Sequence, residues 1–317
     1  MKRSGSDLPA PRKNILLIGK TGQVGWELCR ALAPLGKVTA LDRHAIDLAD
    51  PDSIRRAVRT VSPDLIVNAA AYTAVDKAES EPDAAMAING IAPGILAEEA
   101  KRLNALLIHF STDYVFDGIK STPYTEDDEP NPLNVYGQTK LAGERAVIAV
   151  GGAHLIFRVS WIYGARGKNF LLTMLRLAKQ RNALRIVNDQ IGAPTWSRLI
   201  AEIVAHVLVS RSRDIAAGEC NGIYHASAAG RASWYDFAAE IFRCDDDGHR
   251  SMHGLDIDIP HVSPIPSSEY VTPATRPANS LLSSKKLIDT FDIFLPDWRD
   301  SLMLCLSDLI SHREYPY

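Results

Sequence analysis

Short apolar segments alternate along the first half of the chain with longer segments in which apolar residues recur every three or four positions. Short segments that are apolar throughout are typical of strands buried on both faces of a parallel sheet. The spacing in the longer segments is typical of helices that pack by one face. The short segments span residues 14–18, 37–41, 65–67, 105–110 and 154–159, and the helical ones span 23–35, 83–102 and 136–150. The alternation predicts an α/β fold, a Rossmann-like doubly wound parallel sheet.

The pattern changes past about residue 165. Two helical segments and a short strand are followed by a stretch rich in Pro, Ser, Asp and His. We therefore predict a cofactor domain over residues 13–165 and a smaller α+β substrate domain over 166–317, and leave open a later return of the chain to the first domain. Residues 1–12 carry charge, proline and glycine but no apolar core, so they are interpreted as a disordered leader and not a secretory signal. The later segments span residues 169–181, 197–210, 222–226 and 245–284.

Composition excludes several classes of protein. The chain has 317 residues, of which 46% are hydrophobic and 23% charged, so it is long and apolar enough to bury a core. A net charge of −3 argues against a broad nucleic-acid-binding or membrane-binding surface. The apolar runs are also much shorter than the ~20 residues of a transmembrane helix. Because the four cysteines lie far apart with no C-x-x-C pair, they favour free thiols and a cytoplasmic protein.

Three glycines recur at every third position between the first predicted strand and the first predicted helix. Gly19, Gly22 and Gly25 enclose a turn that leads into Gln23 and Val24 at the helix start. A dinucleotide pyrophosphate needs close approach of the backbone and free N–H groups at a helix N-terminus, and side chains would block both. A tight turn alone would also tolerate the glycines. The position after a strand and before a helix favours dinucleotide binding.

The segment after the second strand bears on the adenosine half of the cofactor. Asp42 ends that strand roughly twenty residues past the glycines, where a carboxylate binds ribose hydroxyls and favours NADH. Arg43 and Lys20 would instead attract the 2′-phosphate of NADPH, so both cofactors stay open. Asp47 and Leu48 are candidates for contact with the adenine. Small residues past the third strand are expected to line the middle of the cofactor, over Ala69, Ala70, Ala71, Tyr72 and Thr73.

Tyr136 and Lys140 form a Tyr-x-x-x-Lys motif on a predicted helix, where residues four apart share a face. A free phenol titrates near pH ~10, and a neighbouring ammonium would lower that pKa toward the range useful for proton transfer. Lys140 can also hold the nicotinamide ribose. Thr112 follows the fourth strand, at the edge where such sheets bind ligands, and is the candidate for polarising a carbonyl. A turn-capping role is the alternative for Thr112.

Together these motifs resemble the extended branch of the short-chain dehydrogenase/reductase superfamily, which acts on nucleotide sugars. Within that branch, the sequence is similar to the dTDP-4-dehydrorhamnose reductase family from residue 14 to residue 298. The matching segments are residues 19–25, 67–79, 111–116, 134–144, 158–161, 188–195, 234–236 and 275–280.

The resemblance implies a reaction, a cofactor and a substrate site. NADPH or NADH would reduce the 4-keto group of dTDP-4-dehydro-L-rhamnose, with Tyr136 as proton donor, Lys140 holding the ribose and Thr112 orienting the carbonyl. The family also implies a homodimer. Its sugar nucleotide is bordered by Thr112, Asp113, Trp161 and residues 73–75, which include Val75.

The resemblance also implies Mg2+ in some members, held by glutamates at a subunit interface. Glu27 stands at one such position. Arg198 stands in the loop where another family glutamate is expected, and this departure speaks against the metal.

Three other functions stay open at this stage. A nucleotide-sugar dehydratase would carry Thr-Asp-Glu after the fourth strand, and the segment here is Thr112-Asp113-Tyr114, so the second acid of an elimination is missing. An epimerase is less strongly opposed. The third alternative is a regulatory subunit of methionine adenosyltransferase, which resembles these reductases without acting as one.

Overall fold

The computed structural model describes residues 13–216, 218–243 and 259–314. The predicted leader over residues 1–12 lies outside the described residues, as do Cys244 and residues 245–258 of the 245–284 stretch. In chain order the described strands are β1 (Lys13–Ile18), β2 (Gly36–Leu41), β3 (Leu65–Asn68), β4 (Leu106–Thr112), β5 (His154–Val159), β6 (Ile162–Tyr163), β7 (Ala183–Val187), β8 (Ile191–Gly192), β9 (Thr195–Trp196), β10 (Gly222–His225), β11 (Ala232–Ser233) and β12 (His261–Ile265).

The helices pack around these strands. Pro82–Met86 and Ala92–Leu103 are joined by a single π-helical turn, Ala87–Ile91. The helices are α1 (Gln23–Ala31), α2 (Pro51–Val61), α3 (Val75–Ala78), α4 (Pro82–Met86), α5 (Ala92–Leu103), α6 (Val135–Val150), α7 (Phe170–Ala178), α8 (Ser197–Ser210), α9 (Ser212–Ala216), α10 (Trp234–Ile241), α11 (Lys285–Phe291) and α12 (Trp298–Glu314).

Six parallel strands form the central sheet, in the order β10-β5-β4-β3-β1-β2. The chain moves outward in one direction from β1 and in the other from β3, so the sheet reverses between these two strands. Ligands of such sheets bind at this reversal, beyond the carboxyl ends of the strands. The structure confirms the predicted Rossmann-like doubly wound sheet.

Alternation of side chains along the buried strands creates a core on each face of the sheet. Leu16 and Ile66 point to the face covered by α2, α5 and α6. Leu17 and Val67 point to the opposite face, where α1, α7 and α8 pack against them. Both faces are therefore apolar, which explains the continuous apolar segments in the sequence.

The second half of the chain returns to the sheet and also builds a smaller unit beside it. Gly222–His225 pairs with β5 as the sixth strand, and α8 packs against α1 on one face. The remaining short strands pair as β6-β9, β7-β12 and β8-β11. The return that the sequence left open therefore occurs, whereas the domain boundary at residue 165 stays a prediction.

Within the part of the chain that the structure describes, no helix has the length and apolar character needed to cross a membrane. Cys29, Cys220 and Cys305 are free thiols.

Candidate active site

The glycine turn is held by backbone packing. Gly19 has φ +94°, a conformation that favours glycine, and a Cβ there would lie 2.8 Å from the backbone nitrogen of Ala70. A Cβ on Gly25 would lie 2.1 Å from the carbonyl oxygen of Gly19. Because Gly19 has no side chain, the loop after β3 can pass close to the turn. Because Gly25 has no side chain, helix α1 can pack closely against the end of β1.

The N-terminus of α1 is open to a ligand. Gly22 is its N-cap, with extended backbone and no side chain capping the helix. The first N–H groups of a helix have no intrahelical acceptor, and the helix dipole favours an anion beside them. The start of α1 therefore offers what a pyrophosphate requires.

A cavity of about 1040 Å3 opens beside this turn, at the carboxyl ends of β1, β3, β4 and β5. It is large enough for a dinucleotide or a sugar nucleotide to enter in part. Fourteen of the predicted site residues line it: Gly19, Gly22, Gln23, Val24, Ala69, Ala70, Ala71, Thr73, Val75, Thr112, Asp113, Tyr136, Lys140 and Trp161.

Helix α6 carries Tyr136 to the end of β4. The Asn134 side chain caps the helix by accepting from the Gly137 N–H at 2.8 Å. A Cβ on Gly137 would lie 2.1 Å from the carbonyl oxygen of Tyr114, so the glycine lets the helix start directly against the turn after β4. Tyr136 and Thr112 consequently line the same end of the cavity.

Burial raises the pKa of the Tyr136 phenol to about 12, while the hydrogen bond with Thr112 acts in the opposite direction. The phenol is therefore protonated at neutral pH. Burial and Asp113 raise the pKa of Tyr136 in this structure, and Thr112 lowers it. The predicted lowering of the same pKa by Lys140 stays a prediction.

Lys140 is buried on α6, one helical turn after Tyr136. Its ammonium donates to the carbonyl oxygen of Phe110 at 2.5 Å, and burial lowers its pKa to about 8, with Glu144 acting to raise it. Glu144 is itself buried and accepts two hydrogen bonds from Arg158, at 2.9 and 2.7 Å. Lys140 therefore lies close to a fully buried ion pair between Glu144 and Arg158.

Asp113 faces the cavity from a buried position. The Thr112 hydroxyl donates to one of its carboxylate oxygens at 2.9 Å and the Ser160 hydroxyl to the other at 3.0 Å. Burial outweighs these hydrogen bonds and raises the pKa of Asp113 to about 6. Tyr114 follows, its ring edge-on to Tyr136 with centroids 5.9 Å apart, and burial raises the pKa of its phenol.

Two tryptophans form one wall of the cavity. The indoles of Trp161 and Trp234 stack with centroids 3.5 Å apart and planes 1° from parallel. Trp161 has φ +45°, a conformation that non-glycine residues rarely adopt, and its Nε1 donates to the Ser280 hydroxyl at 3.1 Å. Gly192 leaves room for the ring, since a Cβ there would lie 2.4 Å from it. The strained backbone holds this indole against the cavity.

On the side where the adenosine half of the cofactor is predicted to bind, Asp42 already has partners within the protein. Asp42 accepts the backbone N–H of His44, which together with Lys20 lowers the pKa of its carboxyl. The ammonium of Lys20 lies 3.3 Å from that carboxylate, and Arg43 lines the cavity. The acid is therefore already paired with a cation.

Five residues predicted to bind the cofactor stand outside the cavity lining. Gly25 packs against Gly19, Asp42 pairs with Lys20, and the Asp47 side chain accepts the Ala49 N–H at 2.9 Å. Leu48 is buried in the core beside α2, and the phenol of Tyr72 donates to Glu81 at 2.7 Å. Their predicted contacts with a cofactor stay predictions.

Several lining residues were not predicted. Lys168, Asn169 and Phe170 lie in a segment without a motif, and Asn169 donates to the side chain of Gln23 at 2.8 Å. Trp234 and Arg276 lie in segments that matched the family without a role assigned to them. Arg276 binds the Asp76 carboxylate, with its Nη2 at 2.9 Å from Oδ2. The similarity of their segments to the family was thus the sequence signal that could have identified Trp234 and Arg276 as site residues.

Comparison with known proteins bears out the resemblance. The RmlD substrate binding domain matches residues 13–311. A dTDP-4-dehydrorhamnose reductase of Burkholderia thailandensis is 51% identical over 94% of this chain and 99% of that protein. The enzyme of the same name from Escherichia coli K12 is 46% identical over 94% of this chain and 98% of its own length.

A solved structure also matches this chain over nearly its whole length. The dTDP-4-dehydrorhamnose reductase of Bacillus anthracis, in complex with NADP, superposes with a TM-score of 0.83 at 31% identity. The match covers 94% of this chain and 99% of that one. The chain therefore belongs to the RmlD substrate binding domain family, the family of the dTDP-4-dehydrorhamnose reductases.

Proposed function

We propose that the protein reduces the 4-keto group of dTDP-4-dehydro-L-rhamnose, using NADPH or NADH, and so forms dTDP-L-rhamnose. The observation that carries the proposal is the meeting of Thr112, Tyr136 and Lys140 in the cavity that the glycine turn opens onto. The names of the relatives, which are 51% and 46% identical, support the same reaction.

The residues present fit a nicotinamide dinucleotide. The uncapped start of α1 suits a pyrophosphate, and Gly19 allows the loop of Ala69 and Ala70 to run close beside it. Lys140 lines the same cavity, where it would hold a ribose hydroxyl. The Bacillus anthracis relative, whose structure contains NADP, supports NADPH as one cofactor.

The protein's own groups would act on the ketone oxygen. When bound, the reduced nicotinamide supplies the hydride. Tyr136 donates a proton to the developing alkoxide, since its raised pKa keeps the phenol protonated until then. Thr112 orients the carbonyl by hydrogen bonding, and the ammonium of Lys140 stabilises the phenolate that remains.

The second half of the chain would bind the sugar nucleotide. Trp161 and Trp234 offer a flat apolar wall for a sugar, and Arg276 places a guanidinium near Asp76 on the same cavity. Trp234 and Arg276 lie in the later segment and support a substrate domain over residues 166–317, to which Trp161 and Asp76 are added from the first half of the chain. We further propose that the protein acts in the cytoplasm as a homodimer.

The direct test follows the absorbance of reduced nicotinamide after adding dTDP-4-dehydro-L-rhamnose generated in situ. Stoichiometric oxidation of NADPH or NADH with formation of dTDP-L-rhamnose is expected. An epimerase would convert a nucleotide sugar with no net oxidation of added cofactor. Absence of oxidation with either cofactor, together with tight binding to a methionine adenosyltransferase, would contradict the proposal.

Arg43→Ala is expected to weaken NADPH binding selectively. One charged hydrogen bond contributes about 1.5–3 kcal/mol, so the KM for NADPH should rise by roughly 10-fold to 100-fold. The KM for NADH should change little, because NADH lacks the 2′-phosphate. Steady-state kinetics with both cofactors measures the ratio, and His44→Ala, next along the chain and absent from the cavity lining, is the matched control. Equal losses for NADH and NADPH would contradict a phosphate-binding role.

The reduction should slow as pH rises through about 8. Lys140 carries its charge below its pKa of about 8 and loses it above, whereas Tyr136, with a pKa of about 12, is protonated throughout that window. The alkaline limb of the kcat/KM profile should therefore report one proton lost near pH 8. Lys140→Arg keeps a cation at every pH, so any activity it retains should lack this limb. A wild-type profile that stays flat through this pH would contradict the assignment.

A further inference from the structure

Arg198 lies in the first turn of α8, between acids from two other helices. Its Nη2 is 2.7 Å from the Asp308 carboxylate of α12, and its Nε is 3.4 Å from the Glu27 carboxylate of α1. The guanidinium also lies over the indole of Trp196, 4.6 Å from the ring centre. The arginine is thus fixed by two carboxylates and an aromatic face.

A third acid stands close to this group. Glu202 lies one turn further along α8, four residues from Arg198 and on the same face. Burial raises the pKa of the Glu202 carboxyl, Glu27 raises it further, and Arg198 acts to lower it. Three acids from three helices therefore share the field of one cation.

These residues do not fit the Mg2+ that the family resemblance implies at Glu27. Mg2+ requires about six oxygen ligands at roughly 2.0–2.1 Å in a nearly octahedral arrangement. Here a guanidinium lies against both the Glu27 and the Asp308 carboxylate, and it stands where a ligand is expected. Among the residues that the structure describes, no group of three or more His, Cys, Asp or Glu side chains is arranged to hold a metal.

We propose that Arg198 supplies from within the chain the positive charge that metal-binding relatives would take from Mg2+. Because its partners belong to α1 and α12, the arginine fastens the helix that begins at the glycine turn to the last helix of the protein. The fold of this chain is consequently independent of divalent cations. This role does not depend on the proposed reduction.

The test compares melting temperatures of the full-length protein in EDTA, in MgCl2 and in NaCl of equal ionic strength. The wild-type protein should melt at the same temperature in MgCl2 and in NaCl. Arg198→Glu places a third carboxylate beside Glu27 and Asp308, so it should melt lower in EDTA and recover saturably as Mg2+ is added. Isothermal titration with Mg2+ should show binding to this variant only.

Arg198→Gln is the matched variant, because it removes the cation without adding a metal ligand. Its melting temperature should fall by roughly 2–4 °C in EDTA, with no saturable response to Mg2+. A saturable rise in wild-type melting temperature with Mg2+ would overturn the proposal. So would an Arg198→Gln protein as stable as the wild type, and this arm remains decisive if Arg198→Glu fails to fold.

Discussion

Tyr136→Phe should abolish most turnover while leaving the binding of NADPH nearly unchanged. Loss of a positioned general acid costs typically about 10²-fold to 10⁴-fold in rate, and Tyr136 lines the cavity together with Thr112 and Lys140. Phenylalanine keeps the ring that packs edge-on against Tyr114, so the cavity should keep its shape. The rate is measured by NADPH oxidation at saturating substrate, and cofactor affinity by fluorescence titration.

Tyr114→Phe provides the matched control for this experiment. Its phenol also lines the cavity, and its ring is 5.9 Å from that of Tyr136, but it has no predicted role in proton transfer. Removing this hydroxyl should lower kcat by less than about tenfold, the effect of one neutral hydrogen bond. A Tyr136→Phe enzyme with turnover close to wild type would remove the phenol from the mechanism. A Tyr114→Phe enzyme as slow as Tyr136→Phe would move the donor to its neighbour.

The sheet could be predicted from the sequence because its strands are buried on both faces. The segments predicted at 14–18, 37–41 and 154–159 match strands Lys13–Ile18, Gly36–Leu41 and His154–Val159. The segment 222–226 was predicted as a strand, but its place beside β5 was not foreseen. Apolar periodicity reports burial of a segment and carries no information about its partner, which long-range packing selects.

The candidate site likewise contains some residues that the sequence could bring together and others that it could not. Tyr136 and Lys140 share a helix turn, so spacing alone could bring them together. Arg276 and Trp234 reach the cavity from distant segments, and a local pattern cannot predict such an approach. Trp161 adopts φ +45°, which no propensity would assign to tryptophan. The glycine turn was predicted from ligand chemistry and from its place between a strand and a helix, whereas two of its glycines are also required by close backbone packing.

Gly25→Ala should destabilise the protein and weaken its hold on NADPH together. The added methyl would lie 2.1 Å from the Gly19 carbonyl oxygen and 2.7 Å from its carbon, which are backbone atoms and cannot turn aside. Helix α1 would have to move away from β1, at an overpacking cost of about 1–3 kcal/mol. Because the same helix presents its N-terminus to the pyrophosphate, the displacement should also lower cofactor affinity by about tenfold or more. Thermal melting of the cofactor-free protein and a NADPH titration measure the two effects.

Gly22→Ala separates packing from ligand approach within the same turn. Gly22 has φ −75°, which alanine adopts freely, and its added methyl would meet the Gly19 oxygen at 3.3 Å, a contact that a small shift relieves. The cofactor-free protein should therefore melt within about 0.5 kcal/mol of the wild type. Gly22 nevertheless lines the cavity, so NADPH should bind less tightly. If Gly25→Ala melted like the wild type and lost only cofactor affinity, close packing would not be the reason for this glycine, and access of the pyrophosphate would explain it instead.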